Sequence, residues 1–317
     1  MQAKISVVMC CYNGEAFLRE QLDSVLRQTQ PAFEIIVRDD ASSDGTWALL
    51  QTYASQYPCI IPSRNATNLG FKRNFALALA DTRGDYIAYC DQDDIWCEHH
   101  LAYLLQLIQD KDLAVGNALL VDAQGRSLGF SLKDEFRYRP VAESEIDKLY
   151  PVFYRSSLYQ GASMLLTKRL KQALLPIPDG VAFHDVWTAA LACCMGGIND
   201  GDEIITLYRQ HGNNVTKHHR ASLWRELKMR HHFCYAPDRM ALYEGLMQRL
   251  PERSIELDAF LAQWKRYADL CRCPSDRCKA FRLRFGQYKK IYTTGNYRYF
   301  CLRALHWLLT PPFKNSI

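Results

Sequence analysis

Two acidic clusters stand out because each follows directly on an apolar run of strand length. Asp39 and Asp40 end the run at residues 33–37, and Asp91, Gln92, Asp93 and Asp94 end the run at 85–90. Carboxylates in that position suit a hard divalent cation, which takes oxygen ligands and neutralises a polyphosphate. A further acid, Asp185, opens an apolar helical stretch, where it could cap the helix. It follows His184, and His211 closes another strand-like run at 203–208. Lys72 and Arg73, at a helix start after Gly70, could contact phosphate, as could Arg209. Each group also has a plainer structural use, since acids favour helix N-termini and side chains such as Asp44 cap turns.

The elements that must position these residues alternate. Residues 5–11 are apolar at nearly every position, as expected of a strand buried on both faces. Tyr12-Asn13-Gly14 breaks the run, and Phe17, Leu18, Leu22, Val25 and Leu26 recur at helical spacing. The same change of period repeats to residue 95, which predicts β-α-β-α-β-α-β and a doubly wound, mostly parallel sheet with flanking helices. Ligands bind such sheets at the carboxyl ends of the strands, so both acidic clusters should face one crevice. No Gly-x-Gly-x-x-Gly follows the first strand, which leaves a dinucleotide reading without its phosphate loop. Residues 130–155 are expected to form a loop over the site, 161–167 a buried strand, and 184–195 a helix. From about residue 220 the pattern is helical.

Composition narrows the class. The chain has 317 residues, 48% of them hydrophobic, 23% charged and 12% aromatic, which excludes general disorder. No apolar run approaches the roughly 20 residues of a membrane span. The opening residues lack an apolar leader, and twelve cysteines then suggest reduced thiols and a cytoplasmic location. From Lys279 onward there are eight Lys or Arg, no Asp or Glu, and nine aromatic residues. Such a tail suits an anionic membrane surface; a C-terminal helix pair packing its aromatics inward is the alternative. Nucleic acid is not an expected partner. Cys271, Cys273 and Cys278 do not follow a standard zinc spacing. His99-His100 is expected at the surface.

The residues 5–13, the segment Arg38-Asp39-Asp40-Ala-Ser-Ser-Asp-Gly-Thr46, and Asp91-Gln92-Asp93 together resemble the family 2 glycosyltransferases. The resemblance covers roughly residues 4–215. It implies a GT-A domain at 1–215 with a helical, basic and aromatic region at 216–317. It also implies a nucleotide-sugar donor, Mn2+ or Mg2+, and inversion at the anomeric carbon. On that resemblance Asp93 is the metal ligand and Asp91 lies nearer the ribose and sugar. Gln92 and Asp94 also fall on the donor side. Asp40, with Asp39 as a second candidate, receives the N3–H of uracil or thymine, while Tyr12 and Asn13 line the nucleoside. Cys10-Cys11 replaces the usual Pro-Thr before Tyr12. Asp185 is the base, His211 lies where related enzymes hold metal or diphosphate, and Gly161, Ala162, His184 and Trp187 fall on the acceptor side.

The segments at 93–96, 161–164, 184–187 and 208–214 resemble the bacterial rhamnosyltransferase branch. The implied donor is dTDP-rhamnose, with a UDP-sugar as the alternative. The implied acceptor is a lipid-linked glycan of surface polysaccharide such as O-antigen or capsule, at the inner membrane face. The Gln-x-x-Arg-Trp motif of processive synthases is not found. An inactive glycan- or nucleotide-binding module is the rival class.

Overall fold

The computed structural model describes residues 3–136, 144–154, 159–212, 214 and 237–287. The chain divides into two compact units, one formed by Met1–Asp134, Tyr159–Ile177 and Ala182–His218, the other by Glu135–Leu158, Pro178–Val181 and His219–Ile317.

The first unit begins as the apolar periods predict. It runs β1 (Ile5–Cys11), α1 (Glu15–Leu26), β2 (Glu34–Asp39), α2 (Thr46–Gln56), β3 (Ile60–Arg64), α3 (Phe71–Ala80) and β4 (Tyr86–Asp91). Then come β5 (Ile95–Trp96), α4 (His100–Ile108), β6 (Leu113–Val121), β7 (Ser127–Ser131) and α5 (Leu132–Phe136). A helix α6 (Leu149–Tyr154) lies between, before β8 (Met164–Thr167), α7 (Lys168–Leu174), α8 (His184–Cys194) and β9 (Ile198–Arg209) complete the unit. The strands form one sheet in the order β3-β2-β1-β4-β8-β6-β9-β5, with β7 paired to β6.

Strands β1 to β4 pair in parallel, and β8 inserts antiparallel between β4 and β6. Ile5, Val7, Val8 and Met9 are fully buried because helices cover both faces of the central strand. The register puts Cys11 beside Asp39 and Cys10 beside Asp91. The two acidic clusters therefore sit on either side of the end of β1, about 10 Å apart at two strand spacings.

Three local expectations change. Residues 161–163 are a single 3-10 turn before β8. His100 is fully buried: it lies on the inner face of α4, stacks on Trp96 at 3.8 Å, and its Nδ1 meets the carbonyl of Ile205 at 3.0 Å. Residues 149–154 are buried helix α6 of the second unit instead of an open loop.

The second unit continues with α9 (Pro237–Arg249), α10 (Ile255–Arg272) and α11 (Arg277–Gly286). Ser254 caps α10 by accepting from the Leu257 N–H. The core is aromatic: Phe153 packs edge-on against Phe260 and Trp264, and Tyr154 lies against Tyr267. Arg284, one of the tail cations, is buried and donates to the Tyr267 hydroxyl and the Tyr154 carbonyl. Cys273 and Cys278 are exposed free thiols. The basic aromatic stretch at 288–317, and His231, His232 and Cys234, lie outside the described residues. No described helix is long and apolar enough to cross a membrane.

Candidate active site

The chain winds outward from β1 to β2 and β3 and then crosses back to β4 on the other side of β1, so the carboxyl end of β1 is the switch point where a doubly wound sheet opens a crevice. One side chain closes that gap. Gln92 accepts from the Tyr12 N–H at 2.9 Å and donates back to the Tyr12 carbonyl at 3.1 Å. Asn13 adopts a positive φ of 49°, which an Asn tolerates, and its Oδ1 accepts from the Ser43 N–H. Gly14 donates to Thr46 Oγ1, while Glu15 and the 44–45 turn exchange bonds in both directions. Asp44 is the turn cap expected of it. Despite partial burial, which raises a carboxyl, bonds from Thr46 and Glu15 hold it below its usual value. Tyr12 is left half exposed at the mouth.

Gly14 leaves room for the Gln92 amide. A Cβ would lie 2.1 Å from Gln92 Oε1. Gly14→Ala is therefore expected to break the Gln92 clamp and cost about 1–3 kcal/mol, measured as a lowered urea midpoint with unchanged slope. An unshifted midpoint would show that Gln92 moves aside freely.

Asp40 is buried at the end of β2. Its Oδ1 accepts from Asn65 Nδ2 and the Leu69 N–H, and its Oδ2 from the Gly70 N–H, at 2.7, 2.8 and 2.8 Å. It thus anchors the turn that starts α3, where Gly70 takes a φ of 80°. Each carboxylate oxygen has two acceptor positions, so Oδ2 retains capacity for one more donor. Asp39 is fully buried and ion-paired with Arg64 at 2.9 Å. Lys72 is half-buried and Arg73 exposed on the first turn of α3.

The 91–94 cluster meets the end of β9. His211 Nε2 lies 2.8 Å from Asp93 Oδ2, and its ring stacks on Phe17 at 4.6 Å. Asp94 is fully buried and accepts from the Arg209 N–H at 3.0 Å, so it ties the cluster to β9. The sequence offers Arg209 as a candidate phosphate contact. It is instead 2% exposed and donates to the carbonyls of Asp93 and Ala123 and to Glu20, with its guanidinium over Phe17. Asn214 accepts from the His211 N–H and donates to the Arg209 carbonyl. The spacing Arg209-x-His211 is the available sequence signal: the buried cation sets the loop that presents the imidazole.

Burial first, then the charges of Asp93 and Asp185, push the Asp91 carboxyl up to about 7. Burial, then the charges of Asp93 and Asp91, push Asp94 well up, against the lowering effect of Arg209. This accumulation of unbalanced carboxylate charge fits a cation. Among the described residues no group of three or more His, Cys, Asp or Glu could hold an ion alone. Asp93 and His211 fit a Mn2+ or Mg2+ that also draws on substrate phosphate and water.

Folding raises the affinity of Asp91 for a proton, so its contribution to stability is present in acid and lost as the pH climbs through about 7. Without metal, the Tm of the protein relative to Asp91→Asn is expected to fall over that interval, with manganese restoring it at neutral pH. A Tm difference independent of pH would contradict the assigned shift.

Asp185 lies in the first turn of α8, half-buried, and accepts from the Val186 N–H at 2.7 Å. Phe183 occupies the N-cap position without a side-chain capping bond, so Asp185 sits inside the first turn. Its charge acts on Asp91, which brings it to the same crevice. Tyr89 on β4 bonds Thr188 on α8 at 3.1 Å and holds the helix against the sheet. His184 is buried among Phe75, Tyr89 and Phe71. Gly161 faces both residues, since a Cβ on it would lie 3.2 Å from His184 Nε2 and 3.6 Å from Asp185 Cβ. Trp187 is turned away: fully buried, it donates to the Leu174 carbonyl at 3.0 Å and fixes α8 to α7. Ala162 is also buried, with its carbonyl toward Thr206.

Residues 6–155 match the family model described as Glycosyl transferase family 2. A Mycobacterium bovis protein described as uncharacterised is 40% identical over 96 residues, 30% of this chain; the chain spans 28% of that relative's length. A Haemophilus influenzae protein described as an uncharacterised glycosyltransferase is 27% identical over 229 residues, 67% of each chain. The solved structure of Staphylococcus aureus TarS 1–349 in complex with UDP-GlcNAc is similar at a TM-score of 0.56, with 16% identity, covering 96% of this chain and 90% of that one. Mannosyltransferase PcManGT from Pyrobaculum calidifontis, in complex with GDP-Man and Mn2+, gives 0.51 with 18% identity, covering 98% and 88%. At these identities the likeness is one of fold.

Proposed function

We propose, on the premise that this chain is a glycosyltransferase with a family 2 domain at residues 6–155 and a GT-A fold, that it is an inverting enzyme of bacterial surface polysaccharide synthesis. It moves a sugar, L-rhamnose from dTDP-rhamnose, onto a lipid-linked glycan at the inner membrane face. The domain boundary for this activity falls near residue 215, and the basic aromatic tail meets the membrane surface. The observation that carries the reading is the 2.8 Å pair of Asp93 and His211 at the switch point, with the charge of Asp185 acting on neighbouring Asp91.

When bound, a divalent cation supplies charge neutralisation on the departing diphosphate. Asp93 and His211 would hold it, and Arg209 and Asn214 keep the His211 loop in place. Asp40 accepts from the base and Tyr12 covers the nucleoside. Asp185 takes the proton from the acceptor hydroxyl as its oxygen attacks the anomeric carbon opposite the leaving group.

A second reading has support of its own. Asp40 would accept from uracil as from thymine, and the TarS neighbour is solved with UDP-GlcNAc. A binding and turnover screen of UDP-, dTDP- and GDP-sugars, with and without manganese or magnesium, decides between them. Metal-dependent turnover of dTDP-rhamnose is the expected result. Preference for a UDP-sugar would discard rhamnose and keep the mechanism. Absence of binding by any donor would discard the enzyme and favour an inactive module.

A further inference from the structure

We propose that Phe17 is a positioning residue for the metal side of the crevice, its ring holding the imidazole of His211 in the plane that turns Nε2 toward Asp93. The inference rests on the metal assignment made under the glycosyl-transfer reading.

By its period Phe17 belongs with Leu18, Leu22 and Val25, yet α1 divides them. Those three are buried in the core, whereas Phe17 is half-buried and outside it. Glu20, three residues on, shares its side of the helix. Both turn to the end of β9. The Arg209 guanidinium lies 5.0 Å from the Phe17 ring centroid, and Glu20 accepts from Arg209 Nη2 at 2.5 Å. The His211 ring stacks on Phe17 at 4.6 Å and 29°. Helix α1 also starts at the nucleoside loop, since the Phe17 and Leu18 N–H groups donate to the Gly14 carbonyl at 3.0 Å. Its first turn therefore joins that loop to the metal side.

His211 needs such a support. Asn214 accepts from the His211 N–H and donates to the Arg209 carbonyl, but both are main-chain bonds and leave the side-chain torsions free. The 2.8 Å contact of Nε2 with Asp93 orients the ring only until a cation held by the same pair takes its place. A phenyl face restrains the imidazole plane without adding a donor or acceptor that would compete for its nitrogens. Arg209 brings a positive charge to the same ring, and the Glu20 carboxylate offsets it beside a cation site. Groups that orient a metal-binding histidine govern affinity nearly as the ligands do, and their loss commonly costs about 10–100-fold.

The test uses the full-length protein with 15N-labelled histidine, the His211 nitrogen signals being assigned by their loss in His211→Gln. In the metal-free wild type they are expected to show a single tautomer bonded to Asp93. Phe17→Leu keeps an apolar side chain without the flat face. It is expected to average those signals toward a free imidazole and to weaken manganese binding roughly tenfold, by calorimetry with manganese alone and with UDP or dTDP present. Metal-free nucleotide affinity should not change, and Phe17→Tyr should restore both readouts. Manganese bound equally well by Phe17→Leu would overturn the proposal and leave the metal assignment standing. A wild type that binds no manganese, with His211 signals still disturbed by Phe17→Leu, would sink the metal assignment and keep the ring support. A loss that Phe17→Tyr does not restore, or an equal fall in metal-free nucleotide affinity, would overturn orientation in favour of general packing. If Phe17→Leu does not fold, the wild-type spectrum decides: a freely averaging His211 overturns the proposal, and a single bonded tautomer sustains it.

Discussion

Asp185→Asn is expected to lower transfer by ~10²–10⁴-fold while leaving nucleotide affinity and Tm nearly unchanged. Asn keeps the shape of Asp and can still accept from the Val186 N–H, the bond that Asp185 makes now at 2.7 Å. The start of α8 is held independently by Tyr89–Thr188 and by Trp187 on the Leu174 carbonyl. What Asn lacks is the ability to take a proton. The loss should therefore appear in kcat at saturating acceptor, with Kd for nucleotide constant. If kcat survives, the base is another group, and Asp91, whose raised pKa suits proton transfer near neutrality, becomes the first to replace. A Tm that falls by several degrees would instead give Asp185 a structural role at the helix start.

Asp93→Asn is expected to move activity and stability in opposite directions. Transfer should drop by ~10³-fold or more, because one of the two groups that would hold the cation is gone and the diphosphate loses its charge partner. Manganese affinity should fall in parallel. The metal-free protein should become more stable, since the carboxylate of Asp93 raises the cost of ionising both Asp91 and Asp94. Asn Oδ1 can still meet His211, so the 211–214 loop should stay in place. Such opposition is the mark of a site whose strain serves function. Transfer and metal affinity both unchanged would show that Asp93 is not a ligand. Lower metal-free stability would show that the His211 pair, not the acid repulsion, dominates at this position.

The strand-and-helix order was readable up to residue 95 because each element carries its own period. Residues 5–11 are apolar throughout and become the central strand; Phe17, Leu18, Leu22 and Val25 repeat at helical spacing and become α1. The turn chemistry was equally local, as Asp44 shows by capping its own loop. Residues 149–154 were harder. Their polar and aromatic mixture reads as a loop, yet they form a buried helix because Phe260, Trp264 and Tyr267, more than a hundred residues later, pack on them. His100 misled for a similar reason: a ring stacked on Trp96 looks in sequence like any surface histidine.

By itself the sequence determined which residues could carry the chemistry and at which strand ends they stand, since type, spacing and period are properties of short segments. Tertiary structure alone decided how they divide the labour. Arg209 became a buried pin for the 211–214 loop, Asp94 its backbone anchor, Gln92 a clamp on Tyr12, and Trp187 a core residue. Each of those roles depends on a partner at least 13 residues away, and most on one some 80 to 116 away. Long-range pairing is set by sheet register and burial, and neither is written in the local pattern.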